Sequence, residues 1–87
     1  MKVKIKNRGN GWVSGKCGDY TYEAKVYDNG SKFGINNGRV SKMTMYDKND
    51  NWVMNYDRGW DIEPDEDVVD CYANIMEVLE NYKNVKW

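Results

Sequence analysis

Polar and apolar residues alternate through most of the first sixty positions, and the period changes in the last quarter of the chain. Lys2-Val3-Lys4-Ile5-Lys6 alternates charge with apolar side chains, which predicts a half-buried strand. Asn7 to Gly11 is a turn cluster, and Trp12-Val13-Ser14-Gly15-Lys16 reads as a second short strand pairing back on the first. Over residues 20–27 the alternation puts Tyr20, Tyr22, Ala24 and Val26 on one face and Thr21, Glu23 and Lys25 on the other. Asp28-Asn29-Gly30 predicts a hairpin turn, because Asn and Gly accept positive φ. Residues 31–35 then read as a strand, Asn36-Asn37-Gly38 as a second turn, and residues 39–46 as the next strand. Lys48 to Asn51 turns again, and residues 52–56 close the meander. Short strands punctuated by turns predict an antiparallel sheet of about five strands over residues 1–60.

After Glu63-Pro64 the apolar positions are Val68, Tyr72, Ile75, Met76, Leu79 and Tyr82, offsets of 0, 4, 7, 8, 11 and 14. That spacing predicts an amphipathic helix over residues 64–83, lying across one face of the sheet. Pro64 and the acids after it suit a helix start, sterically and through the helix dipole. Asp70, Asn74, Glu77 and Asn81 form its solvated face, and Cys71 reads as a packed small side chain. The expected architecture is a single α+β domain.

Size sharpens this picture. In 87 residues there is room for one core, and four Trp and seven Tyr must supply much of it. The mean hydropathy of −0.93 and the lack of an apolar run near ~20 residues predict no membrane span. No apolar segment follows the basic start, so a secretory signal is not expected, a cytoplasmic location is, and Cys17 and Cys71 read as reduced thiols. There is no histidine, which removes imidazole catalysis and histidine-ligated zinc, and two cysteines cannot make a four-thiolate site.

The net charge of −1 conceals a polarity: residues 1–44 carry nine bases and three acids, residues 45–87 four bases and eleven acids. Either the two halves neutralise each other, or they present opposed surfaces to partners. Asp61, Glu63, Asp65, Glu66, Asp67 and Asp70 place six acids in ten residues. They read as helix-start charge or as a negative surface for an arginine-rich partner; without a ligand-spacing motif, no metal is expected. Asp47-Lys48-Asn49-Asp50-Asn51 opens like a calcium loop but has Trp52 where glycine is needed and Arg58 where glutamate is needed, so it reads as a turn. Gly15-Lys16-Cys17 would set a thiol beside a cation, but no base accompanies it. Lysines interleaved with Tyr20, Tyr22, Tyr27 and Phe33 would suit single-stranded nucleic acid.

Two stretches exceed what plain hairpins need: residues 30–42, Gly-Ser-Lys-Phe-Gly-Ile-Asn-Asn-Gly-Arg-Val-Ser-Lys, and Tyr56-Asp57-Arg58-Gly59-Trp60-Asp61. In the second, either Arg58 pairs with Asp57 and Asp61 to fix the corner and Trp60 plugs the end of the core, or Trp60 stands at the rim of a surface that meets a partner. Together with Glu23-Ala24-Lys25-Val26-Tyr27, these stretches resemble a small domain of unknown function from low-GC Gram-positive bacteria and their phages, over roughly residues 11–61. The resemblance implies a genomic context and carries no site residues.

The functional expectation is a non-enzymatic, protein-binding module encoded by a phage or mobile element. Its size and charge are loosely similar to anti-CRISPR inhibitors of host defence nucleases. Trp60, Asp61, Glu63, Asp65, Glu66, Asp67 and Asp70 would meet a basic groove on a host protein, with Trp60 as the buried anchor. The alternative is a nucleic-acid-binding accessory protein using Lys2, Lys4, Lys6, Lys32, Arg39 and Lys42. No cofactor is implied; the chain is expected to act as a monomer or as a homodimer through an exposed strand.

Overall fold

A computed structural model describes residues 2–87; Met1, the first residue of the expected sheet segment, lies outside them. Six strands follow one another: β1 (Val3–Gly9), β2 (Trp12–Cys17), β3 (Tyr20–Val26), β4 (Val40–Tyr46), β5 (Trp52–Asp57) and β6 (Trp60–Ile62). One helix, α1 (Val69–Asn81), ends the order. Each strand pairs antiparallel with its chain neighbours, so spatial order equals sequence order in one open sheet. This is the α+β architecture the alternation predicts.

The turns follow residue chemistry. Gly9, Asn10 and Gly11 all take positive φ (89°, 55° and 83°), reversing the chain between β1 and β2. The β4–β5 reversal rests on Asp47, whose carboxylate accepts the N–H groups of Asn49 (2.8 Å) and Asn51 (3.0 Å). These bonds hold its carboxyl below the usual carboxylate range. The calcium-like stretch is therefore a turn organised by its own first residue.

Burial follows the alternation. Tyr22, Ala24 and Val26 of β3, Met43 and Met45 of β4 and Met54 of β5 sink beneath α1, which contributes Cys71, Ile75 and Leu79. Methionine, flexible and unbranched, fills the uneven space between a twisted sheet and a crossing helix. Gly15 is a packing requirement: a Cβ there would lie 1.7 Å from the Lys4 carbonyl oxygen and 2.8 Å from the Tyr22 hydroxyl. That gap lets Tyr22 pass beneath β2 and donate to the Lys4 carbonyl at 2.9 Å.

Three expectations are corrected. Residues 31–35 are not a strand. Asn36 and Asn37 both adopt left-handed φ (52° and 60°), and the segment bonds to itself, with Gly34 N–H to Ser31 and Gly38 N–H to Ile35. Only Ile35 anchors it in the core, through a 3-10 turn at Ile35–Asn37. The helix starts at Val69 rather than Pro64: Asp65 captures the N–H groups of Asp67 (3.0 Å) and Val68 (3.2 Å) in a turn that precedes it. Residues 60–62, expected to be a corner, form the edge strand β6.

The helix ends on a borrowed cation. No basic residue lies in its last turn. Arg39 supplies one from before β4, donating to the carbonyls of Leu79 (3.3 Å), Glu80 (3.0 Å) and Tyr82 (2.9 Å). In return the Glu80 carboxylate accepts the Arg39 N–H at 2.9–3.0 Å. Beyond α1, Asn7 holds the tail by donating to the Asn84 carbonyl (3.0 Å) and accepting from the Lys86 N–H (3.1 Å).

Candidate ligand-binding face

The helix covers one side of the sheet, and the cross-strand register defines what the other side carries. Residues directly opposite each other on paired strands share a face. One row runs Lys4, Lys16, Thr21, Tyr46, Trp52 across five strands. Another runs Trp12, Lys25, Lys42, Asp57. Between them lie Lys6, Ser14, Glu23, Thr44 and Asn55. The uncovered face thus holds five lysines with Trp12, Tyr46 and Trp52.

Two of its pairings set like charges against each other: Lys4 opposite Lys16, and Lys25 opposite Lys42. Such pairs oppose folding, by up to roughly 1 kcal/mol each on the scale of cross-strand interactions. Among the described residues the only salt bridge is Lys42 to Asp57, at 3.8 Å between partly exposed groups. Lys25 donates to the Asn10 carbonyl and holds its ammonium over the rings of Trp12 (5.8 Å) and Tyr27 (5.6 Å). Tyr46 stands edge-on to Trp52, which is 55% exposed, with 6.3 Å between ring centroids. The Tyr46 hydroxyl donates to Glu23 (2.8 Å); burial first, and this bond second, push its phenol up to about 12.

The expected cationic set divides. Lys2, Lys4 and Lys6 are exposed, and Lys42 is on the face. Lys32 lies outside the strands, its ammonium over Phe33 at 5.2 Å. Arg39 is committed to the helix end. Of the aromatics expected to stack, Tyr22 belongs to the core and Tyr20 is half-buried, its hydroxyl 3.4 Å from the Asp67 carbonyl. Alternation alone does not mark Lys16, Lys25, Trp12, Tyr46 and Trp52 as residues of one binding face. Their signal is the cross-strand register, which alternation within one strand does not contain.

The acidic run lies on β6, the approach to α1 and the first turn of α1. Asp61, Glu63, Asp65, Glu66, Asp67 and Asp70 are all exposed. Asp61 accepts from Asn55 (3.1 Å), and Asp65 organises its turn. None of the six pairs with a lysine among the described residues, so the two charged halves do not neutralise each other through salt bridges. No group of three or more acidic or thiol side chains converges as a metal site among the described residues. Trp60 does not plug the core: it is 42% exposed, edge-on to Tyr56 (5.1 Å) and Tyr72 (5.8 Å).

Arg58 makes no ion pair with Asp57 or Asp61. It takes a left-handed φ of 58°, fixed by its N–H donating to the Ser41 carbonyl at 2.9 Å. Cys17 is fully buried, not displayed beside Lys16. The Cys71 thiol donates to the Cys17 carbonyl (3.1 Å), and burial pushes it up to about 12.

The fold and surface define a class: a one-layer antiparallel sheet backed by one helix, with one sheet face left uncovered. Residues 11–80 match the family described as Domain of unknown function (DUF7678), and the chain belongs to it. No curated protein matches the chain, and no solved structure does. No helix is long and apolar enough to cross a membrane.

Proposed function

We infer that this is a non-enzymatic binding module whose uncovered sheet face takes a single-stranded polyanion, with nucleic acid the fitting chemistry. One observation carries the reading: lysines stand directly opposite lysines on paired strands, flanked by Trp12 and Trp52, on a face nothing covers. A bound phosphate chain would relieve that repulsion, and exposed rings would stack its bases. A second reading rests on Trp60, a half-exposed ring beside unpaired carboxylates. There the protein is a phage-encoded inhibitor, acting in the cytoplasm on a host protein's basic groove.

One titration separates the two. A fluorescent single-stranded oligonucleotide is expected to bind at low salt, with affinity falling linearly on a logarithmic salt axis. Lys4→Glu with Lys16→Glu should weaken it by more than about tenfold, and Glu63→Lys with Glu66→Lys should not. No oligonucleotide binding at low salt overturns the sheet-face reading. An arginine-rich peptide that binds the wild type but not the Glu63→Lys/Glu66→Lys variant supports the second.

A further inference from the structure

The two sequence stretches that exceed plain hairpin chemistry come together in space. The Arg58 N–H reaches the Ser41 carbonyl (2.9 Å), and the Tyr56 hydroxyl reaches the Phe33 carbonyl (2.9 Å). Between them lies a cavity of about 550 Å³, within the usual size range of small-molecule sites. We propose that this cavity is a subsite for one nucleotide, taken free or as the terminal unit of a strand lying on the lysine face.

Its walls divide by chemistry. Tyr27 and Phe33 line it, each 47% exposed; both rings are held at a cavity instead of in the core. Flat apolar surfaces at a wet opening suit a planar base. Arg58 is on the wall with no carboxylate partner among the described residues. Its left-handed backbone is unusual for a residue other than Gly, Asn or Asp, and the bond to Ser41 maintains it. Its neighbour Asp57 is held by Lys42, and Asp61 by the Asn55 amide. A guanidinium left without an anion at a cavity suits a phosphate.

Ser41 is the second independent sign. It is the extra residue where the β3–β4 register shifts between Lys25 and Val26. It lines the cavity, is 4% exposed, and its buried hydroxyl has no hydrogen-bond partner within the protein. A buried polar atom without a partner at a bulge calls for one from outside the protein, a water or a ligand group. Asp28 and Asn29 add acceptors on the same lining. The ligand is thus anionic at the Arg58 side and carries a planar, donor-bearing group for Asp28 and Asn29, a combination that a nucleotide supplies. The cavity also adjoins the face already described. Tyr27 shares the Lys25 ammonium with Trp12, and Lys42 follows Ser41 in the chain.

The subsite rests on the nucleic-acid reading for its strand-terminal form only. The test is nuclear magnetic resonance titration of the full chain with guanosine, adenosine, uridine and cytidine monophosphates, beside a single-stranded oligonucleotide. At least one monophosphate is expected to give saturable shifts at the amides of Phe33, Ser41 and Arg58. Arg58→Gly removes the guanidinium while easing the backbone, so the variant folds, and binding should weaken by about tenfold or more, the equivalent of one charge-assisted hydrogen bond. The Lys4→Glu/Lys16→Glu variant should keep the monophosphate affinity. No saturable shift at these amides, or unchanged affinity in Arg58→Gly, overturns the subsite even if the oligonucleotide binds. Monophosphate binding with no tighter binding of the oligonucleotide keeps the subsite and overturns the lysine-face reading.

Discussion

Single side chains set the alkaline limit of this fold. Tyr22 is buried with its hydroxyl on the Lys4 carbonyl, and burial drives its phenol above the ordinary range. Burial likewise lifts Cys71 and Tyr46 to about 12. Each group holds its proton more tightly folded than unfolded. Their contribution is therefore complete below about pH 9, where the unfolded thiol and phenols begin to titrate, and is lost as pH rises through about 12. Urea midpoints are expected to stay level from neutral pH to about pH 9 and then fall steeply. Tyr46→Phe should remove its share of that slope. A midpoint that is flat to about pH 11 would contradict this account.

At the level of elements, the helix depends on a residue that precedes β4. Three carbonyls at the end of α1 receive one guanidinium, and the Glu80 carboxylate closes the exchange on the Arg39 backbone. Arg39→Ala should lower unfolding free energy by about 2–3 kcal/mol, the scale of charge-assisted hydrogen bonds in a partly buried setting. Lys32→Ala, on the same loop but without such bonds, should stay within about 0.5 kcal/mol. Equal effects in denaturant titration would show that Arg39 does not cap the helix. The elements whose pattern is local are legible in the sequence. The alternation in residues 20–27 predicts the buried face of β3, and the spacing from Val68 to Leu79 predicts that of α1. Residues 31–35 mislead because Ser-Lys-Phe-Gly-Ile satisfies a two-residue period by composition, while the consecutive left-handed asparagines after it fold the segment onto itself. The capping role of Arg39 spans some forty residues and has no local signature.

Over the whole molecule, the face proposed as a site is legible only in part. Lys4, Lys6 and Lys42 show in the alternation, but the Lys4–Lys16 and Lys25–Lys42 pairings exist only once register is fixed. The same register gives the molecule its charge pattern: lysines crowd the uncovered face, carboxylates crowd β6 and the approach to α1, and one salt bridge is found among the described residues. The β1 edge strand, studded with Lys4 and Lys6, discourages pairing with a second copy. Charge segregated in this way sets like charges beside one another within each cluster, above all at the Lys4–Lys16 and Lys25–Lys42 pairings. Added sodium chloride shortens the Debye length from about 10 Å at 0.1 M to about 3 Å at 1 M, screening repulsion within each cluster. Thermal melts should therefore shift upward over that range, and the shift should shrink in Lys4→Glu, which turns the Lys4–Lys16 repulsion into attraction. A melting temperature that falls with salt would mean that attraction between the basic and acidic halves holds the fold together, and that the lysine face is already neutralised by the protein itself.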